Sequence, residues 1–374
     1  MIGALASRTA VFALLAVWAA IAATSPFWLA PGPDDGFYFL QVVAFVYEHR
    51  IAIPYLDEYR NVYTNLPGYP AAQGLFFAAW SGLGLTVDVF SSRAFQSVSV
   101  FASVGAAAAL LHRAIPGGNT AWAAPGAFLV MLGVTPFGLD AWYLRPEPLG
   151  LLAVAAGMLC FARAWETTGT TATVLAALSG LLMGVAMTTH PTITFTAGLE
   201  SLLFAGALLY RRRFAPVAAA IAAAAIPLAW SAAYFLAGGA PALAELLRHG
   251  EAREFRPGGG ILAIPDYITA AYTSPSAATL YQALPFAVLS LVIFAIAALA
   301  VVRLTRPAKP QISPAAGAIY GFFACNCVYL ALDATGRVQV FTVFAFSAAL
   351  CLSVLLIEFG AWRTPAPANK NGGP

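Results

Sequence analysis

The chain has 374 residues, 60% of them hydrophobic and only 9% charged, with a mean hydropathy of +0.78. A soluble domain carries about 25% charged residues, so the composition excludes an ordinary water-soluble fold and indicates an all-α polytopic membrane protein. The net charge of +3 is small, and no nucleic-acid partner is expected.

A spanning helix needs about 20 mostly apolar residues. In chain order, the segments that meet this are 9–30, 94–111, 120–138, 148–165, 172–189, 192–210, 215–236, 285–303, 315–332 and 338–360, giving about ten predicted transmembrane helices. The first 30 residues have the look of a signal peptide, but so many spans follow that a retained first helix is expected. Segment 69–87 (YPAAQGLFFAAWSGLGLTV) is apolar yet short and Gly-rich. The positive-inside rule decides its role. If 69–87 lies along the outer surface, the cytoplasmic side receives Arg8, Arg113, Arg163, Arg211, Arg212, Arg213, Arg303, Arg306, Lys309, Arg363 and Lys370, which are 11 of the 19 basic residues. The outer side then receives 13 of the 16 acids. If 69–87 crosses instead, Arg211–Arg213 move outside, against the rule. A surface-lying helix is therefore predicted there.

This topology leaves two long outer loops, 31–93 and 237–284, and two short charged ones, 139–147 and 333–337. Long connections in a compact protein are usually functional or disordered, and the aromatic content of these favours function. Residues 1–363 read as one membrane domain, and the tail 364–374 (TPAPANKNGGP) reads as disordered. Cys160, Cys325, Cys327 and Cys351 lie in apolar runs and read as small packing residues. Glu200, in the middle of span 192–210, is costly there unless it faces the interior.

The first outer loop opens with PGPDDGFYFLQ, residues 31–41. Asp34 suits the N-cap of a helix over 35–49. Capping explains one acid but not two. Adjacent carboxylates beside an apolar surface repel one another and resist desolvation, which suits a general base or a metal ligand. Near the second outer loop stand Arg145 and Glu147, which a mutual salt bridge would also explain; Arg337 has a bland rival role as partner of Asp333. The run RHGEAREFR (248–256) reads equally as a solvated helix face and as a source of phosphate-binding arginines. RPGGG (256–260) suggests a hinge, with the rest of 237–284 as a lid.

Taken together, these features resemble the GT-C superfamily of integral-membrane glycosyltransferases, which includes the protein O-mannosyltransferases and lipid A aminoarabinose transferases. The resemblance rests on an ordered set: the first span, the acidic pair on a surface helix, and a second surface helix. It continues with PFGLDAWYLRPEPL (136–149), GLLMGVAMTTHPTITF (180–195) and GRVQVF (336–341). It implies inverting transfer of a sugar from a polyprenyl-phosphate donor to a lipid, glycan or protein acceptor, on the outer face of a bacterial plasma membrane. Asp34 and Asp35 would be the catalytic acids. Tyr38, Arg145, Glu147, His190, Arg253, Arg256 and Arg337 would bind substrate. His190 stands where family members often carry Lys, and a histidine is only partly protonated near neutral pH. Asp34, Asp35 and Glu147 together also make a set of hard oxygen donors for a divalent cation, which some family members do without; the metal stays open. A transporter or flippase is the alternative, with a non-catalytic scaffold as a weaker third. Transporters carry intramembrane charges and broken helices in related halves, whereas the acids here gather at one surface.

Overall fold

The computed structural model describes residues 7–28, 39–40, 42–43, 53–55, 59–62, 66–115, 119–237, 264–266, 268–269, 273, 277–305, 312–332 and 338–363. The helices are α1 (Arg8–Trp28), α2 (Gly68–Gly82), α3 (Val89–Ala114), α4 (Ala123–Gly133), α5 (Pro136–Asp140), α6 (Glu147–Glu166), α7 (Gly169–Met187), α8 (Pro191–Tyr210), α9 (Phe214–Ala237), α10 (Ala277–Thr305), α11 (Pro314–Leu332) and α12 (Val338–Arg363). Between α1 and α2, strands β1 (Ile53–Tyr55) and β2 (Tyr59–Val62) pair antiparallel, with Ile53 opposite Val62 and Tyr55 opposite Tyr59. This hairpin is an addition to the all-α expectation, and its β-branched and aromatic residues fit a short ladder.

Local chemistry sets the helix ends. Asp88 caps α3: its carboxylate accepts from Ser91 N–H at 2.9 Å, and its own N–H donates to Ser91 Oγ at 2.9 Å. Pro136 and Pro191 open α5 and α8, where the missing N–H costs nothing. Gly169, at φ +64°, makes the short link between α6 and α7.

Among the described residues, nine helices are long and apolar enough to cross a membrane: α1, α3, α6 to α12. The expected tenth span, 120–138, is not one helix. A 3-10 turn at Asn119–Trp122 leads into the 11-residue α4, and the chain breaks before Pro136 starts α5. The return crossing follows nonetheless from the helices on either side. Arg113, at the end of α3, is ion-paired with Glu166, at the end of α6. Gln96, near the start of α3, donates to Ala141 O at 2.7 Å, just before α6 begins. So α3 and α6 run parallel, and residues 115–146 must carry the chain from one end of the bundle to the other.

α2 does not cross. Its first residue bonds the end of α7 (Gly68 N–H to Thr188 O, 2.8 Å), and Trp80 near its last turn bonds Thr86 O at 3.1 Å. Tyr69 packs on Phe95 and Trp80 on Phe90, with ring centroids 5.7 and 6.4 Å apart. Eleven residues of α2, about 16 Å, thus stay beside the opening turns of α3, and the helix lies across one end of the bundle.

α12 forms the axis: 89% of its spanning window is buried, against 22% for α9 at the periphery. Phe341 and Phe346 on α12 meet Phe286 and Phe128 edge-on. Small residues bring α7 and α9 close, since a Cβ on Gly180 would meet the Ala220 carbonyl carbon at 2.7 Å and one on Gly184 the Ala224 oxygen at 2.7 Å. Glu200 on α8 is fully buried, as expected of an interior-facing acid, and accepts a hydrogen bond from Cys325 Sγ on α11 at 3.7 Å. The two ends of the bundle differ in charge. Arg8, Arg113, Arg163, Arg211, Arg212, Arg213 and Arg303 collect at the end where α3, α6, α8 and α10 finish; Asp88, Arg93, Arg145, Glu147 and His190 lie at the other.

Candidate functional site

The site is built at the end where α2 lies. Glu147 is the first residue of α6 and His190 the residue before α8, so both stand at helix starts on this end. The Glu147 carboxylate lies 3.8 Å from His190 Nε2, an ion-pair separation rather than a hydrogen bond. Glu147 is 1% exposed and His190 8%. Buried charge of this kind is retained at a cost unless something answers it.

Two glycines fix the turn that carries His190. A Cβ on Gly68 would come within 2.6 Å of Thr188 O, and one on Gly150 within 2.6 Å of Thr189 Oγ1. The turn 188–190 is therefore clamped between α2 and α6, at contacts only hydrogen can make. Within it, Thr188 and Thr189 hydroxyls donate to Val185 O and Ala186 O, both at 2.7 Å, and Thr194 donates back to Met187 O at 2.6 Å. Further along α8, Thr192 donates to Tyr329 at 3.2 Å and ties in α11.

Gln96 is the second organiser. Its Oε1 accepts from Tyr69 on α2 at 3.4 Å and from the Arg145 backbone N–H at 3.3 Å, while its amide holds Ala141 O. One buried amide thus positions α2, α3 and the 141–146 segment that bears Arg145. Arg93, 9% exposed, lies one turn before it on α3. Gln73, on the buried face of α2, is fully buried and neither of its amide atoms has a hydrogen-bond partner among the described residues.

Of the residues singled out from the sequence, the structure brings Arg145, Glu147 and His190 to this end. Glu147 faces His190, a contact the sequence did not suggest. Asp34, Asp35, Tyr38, Arg253, Arg256 and Arg337 lie outside the described residues, as do the tail 364–374 and most of the 237–284 loop, including 238–263. The chain leaves α1 at Trp28 and starts α2 at Gly68, both on this end: Ser25 Oγ is 2.8 Å from Ser97 Oγ of α3. Arg93, Gln73, Gln96, Gly68 and Gly150 were not singled out. For Arg93 a signal existed, a cation just inside an apolar span; for the others the contacts are distant in sequence.

For a metal, Glu147 and His190 offer one oxygen and one nitrogen donor. Among the described residues no group of three His, Cys, Asp or Glu side chains is placed to hold an ion, so the described donors alone do not make a site.

No protein-family model matches the chain, and no curated protein does. Solved structures do. ArnT from Cupriavidus metallidurans, bound to undecaprenyl phosphate, aligns over 91% of this chain and 76% of its own, at 12% identity and TM-score 0.50. The oligosaccharyltransferase AglB from Archaeoglobus fulgidus, in complex with an inhibitory peptide and a dolichol-phosphate, aligns over 94% of this chain at 14% identity and TM-score 0.53. The Archaeoglobus fulgidus oligosaccharyltransferase in complex with Zn and sulfate aligns over 93%, at 13% identity and TM-score 0.51. The chain has a GT-C-like fold. It spans about half the length of the oligosaccharyltransferases it matches (50% and 49%), and at these identities the likeness is one of GT-C architecture.

Proposed function

We propose that the chain is an inverting GT-C glycosyltransferase that moves a hexosyl or pentosyl residue from a polyprenyl-phosphate donor to a lipid, glycan or protein acceptor. The observation that carries the reading is the buried Glu147–His190 pair, held by the glycine-clamped turn at the end of the bundle where both Trp28 and Gly68 lie. Asp34 follows Trp28 by six residues, a reach of at most about 20 Å for an extended chain. The fold, similar to ArnT, supports the same reading.

In this mechanism Asp34 takes the proton from the acceptor hydroxyl as its oxygen attacks the anomeric carbon. The bond from that carbon to the phosphate oxygen breaks on the opposite face, inverting the centre, and the electron pair leaves with the lipid phosphate. Asp35 supports the base. Arg145, Arg337 and the pair Arg253 and Arg256 stabilise the departing phosphate, for which the planar guanidinium is suited. Glu147 orients His190 beside them, and Tyr38 lines the sugar pocket. A divalent cation on Asp34, Asp35 and Glu147 is the metal-dependent form of this proposal, and loss of transfer on chelation would separate it from the metal-free form. By the positive-inside rule the basic end is cytoplasmic and the site is on the outer face; the high Ala, Gly and Pro content favours a bacterial plasma membrane as its location.

The test is transfer in membranes against a panel of radiolabelled polyprenyl-phosphate sugars, wild type beside Asp34→Asn. One donor supporting transfer by the wild type and not by the variant is expected. Equal transfer by both removes Asp34 from the chemistry, and no transfer from any donor rejects the polyprenyl-phosphate reading.

A further inference from the structure

At the opposite, basic end a groove of about 860 Å³ opens between α1, α3, α4 and α6, within the roughly 300–1,000 Å³ of ligand sites generally. Its walls are apolar: Val11 and Leu15 of α1, Gly105 and Ala109 of α3, and Leu159 of α6. Its mouth is charged, with His112, Arg113, Arg163 and Glu166. Arg113 and Glu166 neutralise one another as an ion pair. Arg163 is exposed, with no carboxylate within ion-pair distance among the described residues, and Arg8 lies at the same end with its guanidinium 5.4 Å from the Phe12 ring at the groove wall. The mouth is therefore net cationic. Trp122 lines it as well, 4.3 Å from the His112 ring.

Three of its walls, α1, α3 and α6, are spanning helices, so the groove reaches into membrane depth and its occupant is a lipid rather than a water-soluble ligand. We propose that this groove binds one anionic glycerophospholipid of the leaflet at the basic end, with an acyl chain along α1 and α3 and the headgroup phosphate at Arg163. Charge selects the headgroup and the missing side chain at position 105 makes room for the chain. A Cβ at Gly105 would meet nothing within 4 Å, so the space beside it is open. A basic pocket between spanning helices is the expected footprint of anionic lipid recognition. This site lies at the far end from Glu147 and His190 and does not depend on the transferase reading.

The purified full chain in detergent, titrated with brominated phosphatidylglycerol or brominated phosphatidylcholine, tests it through quenching of Trp122, isolated by difference from Trp122→Phe. Phosphatidylglycerol is expected to quench at concentrations at least ten-fold lower. Arg163→Gln should weaken it about five-fold, the worth of one arginine near an anionic headgroup. Gly105→Leu extends a side chain into the groove from a position where the added Cβ meets nothing within 4 Å and improves helix propensity, so quenching by either lipid should vanish while the melting temperature holds; Ala109→Leu, from an exposed position on the same wall, is the second plug. Equal quenching by the two lipids, or phosphatidylglycerol quenching that survives both plugs, overturns the proposal. Displacement of phosphatidylglycerol by undecaprenyl phosphate at equal concentration would also overturn it, in favour of a polyprenyl site.

Discussion

Asn at position 34 separates two roles that one carboxylate can play, because Asn caps a helix nearly as well as Asp but is no base. Asp34→Asn is expected to leave the melting temperature within a degree or two while transfer falls by roughly two to four orders of magnitude. Asp35→Asn should cost less. The reverse order would exchange their roles, and normal transfer by both variants would leave the pair a cap. At Gly68 the prediction runs through geometry: the added methyl of Gly68→Ala meets Thr188 O at 2.6 Å, and the backbone cannot give way cheaply. Stability should fall by about 1–3 kcal/mol, with transfer reduced because the turn bearing His190 shifts; an unaltered thermal melt would show that the clamp is loose. Gln73→Leu should raise stability, since a buried amide without a partner costs about 1–3 kcal/mol; a lower melting temperature would reveal a protein partner outside the described residues. Glu147 and His190 were legible in the sequence because charge and imidazole stand out in apolar runs. Gly68, Gly150 and Gln96 were not, because what they touch lies far along the chain, and nothing local marks a glycine as a close-approach site.

At the level of elements, the spans were legible from length and hydropathy, and their order from the distribution of arginines. The break in 120–138 was written in Pro136 and the glycines around it, yet hydropathy averages over such residues. Gly138 shows the reason for the break: a Cβ there would meet the Gly133 carbonyl carbon at 2.7 Å, so α5 folds tightly back on α4 in a way an uninterrupted helix cannot. Crossing is preserved because the parallel alignment of α3 and α6 demands it. The surface placement of α2 has a direct check. With an impermeant thiol reagent on intact cells, Thr86→Cys, exposed after α2, is expected to react, and Arg212→Cys, exposed between α8 and α9, is not. Labelling at position 212 would place α2 across the membrane and scatter the acids over both sides.

For the whole molecule, composition alone sufficed for the class, and the ordered motifs for the architecture, at a level of identity where similar folds share 11–14% of residues with this chain. Fold of this kind survives sequence drift because any apolar side chain of roughly the right size satisfies a lipid-facing or interhelical position. The acidic pair, Arg253 and Arg256 are legible only as sequence, since they sit on the long connections 31–93 and 237–284, where no packing period constrains the reading.

Glu200 adds a constraint in time. The thiol that meets it, on Cys325, is synthesised 125 residues later, which at about 5–20 residues per second is a delay of roughly 6–25 s. During that interval a nascent chain must hold in the bilayer an acid whose central placement costs about 2.5–3.5 kcal/mol in a lone helix. Of its final neighbours, α7 and α9, which pack closely on one another, are made before α11, but the partner of the carboxylate is not. A ribosome-released fragment ending after α9 should therefore insert α8 poorly, and Glu200→Leu should rescue that fragment in a glycosylation-mapping assay; equal insertion of both would mean that α7 and α9 already shelter the carboxylate on their own.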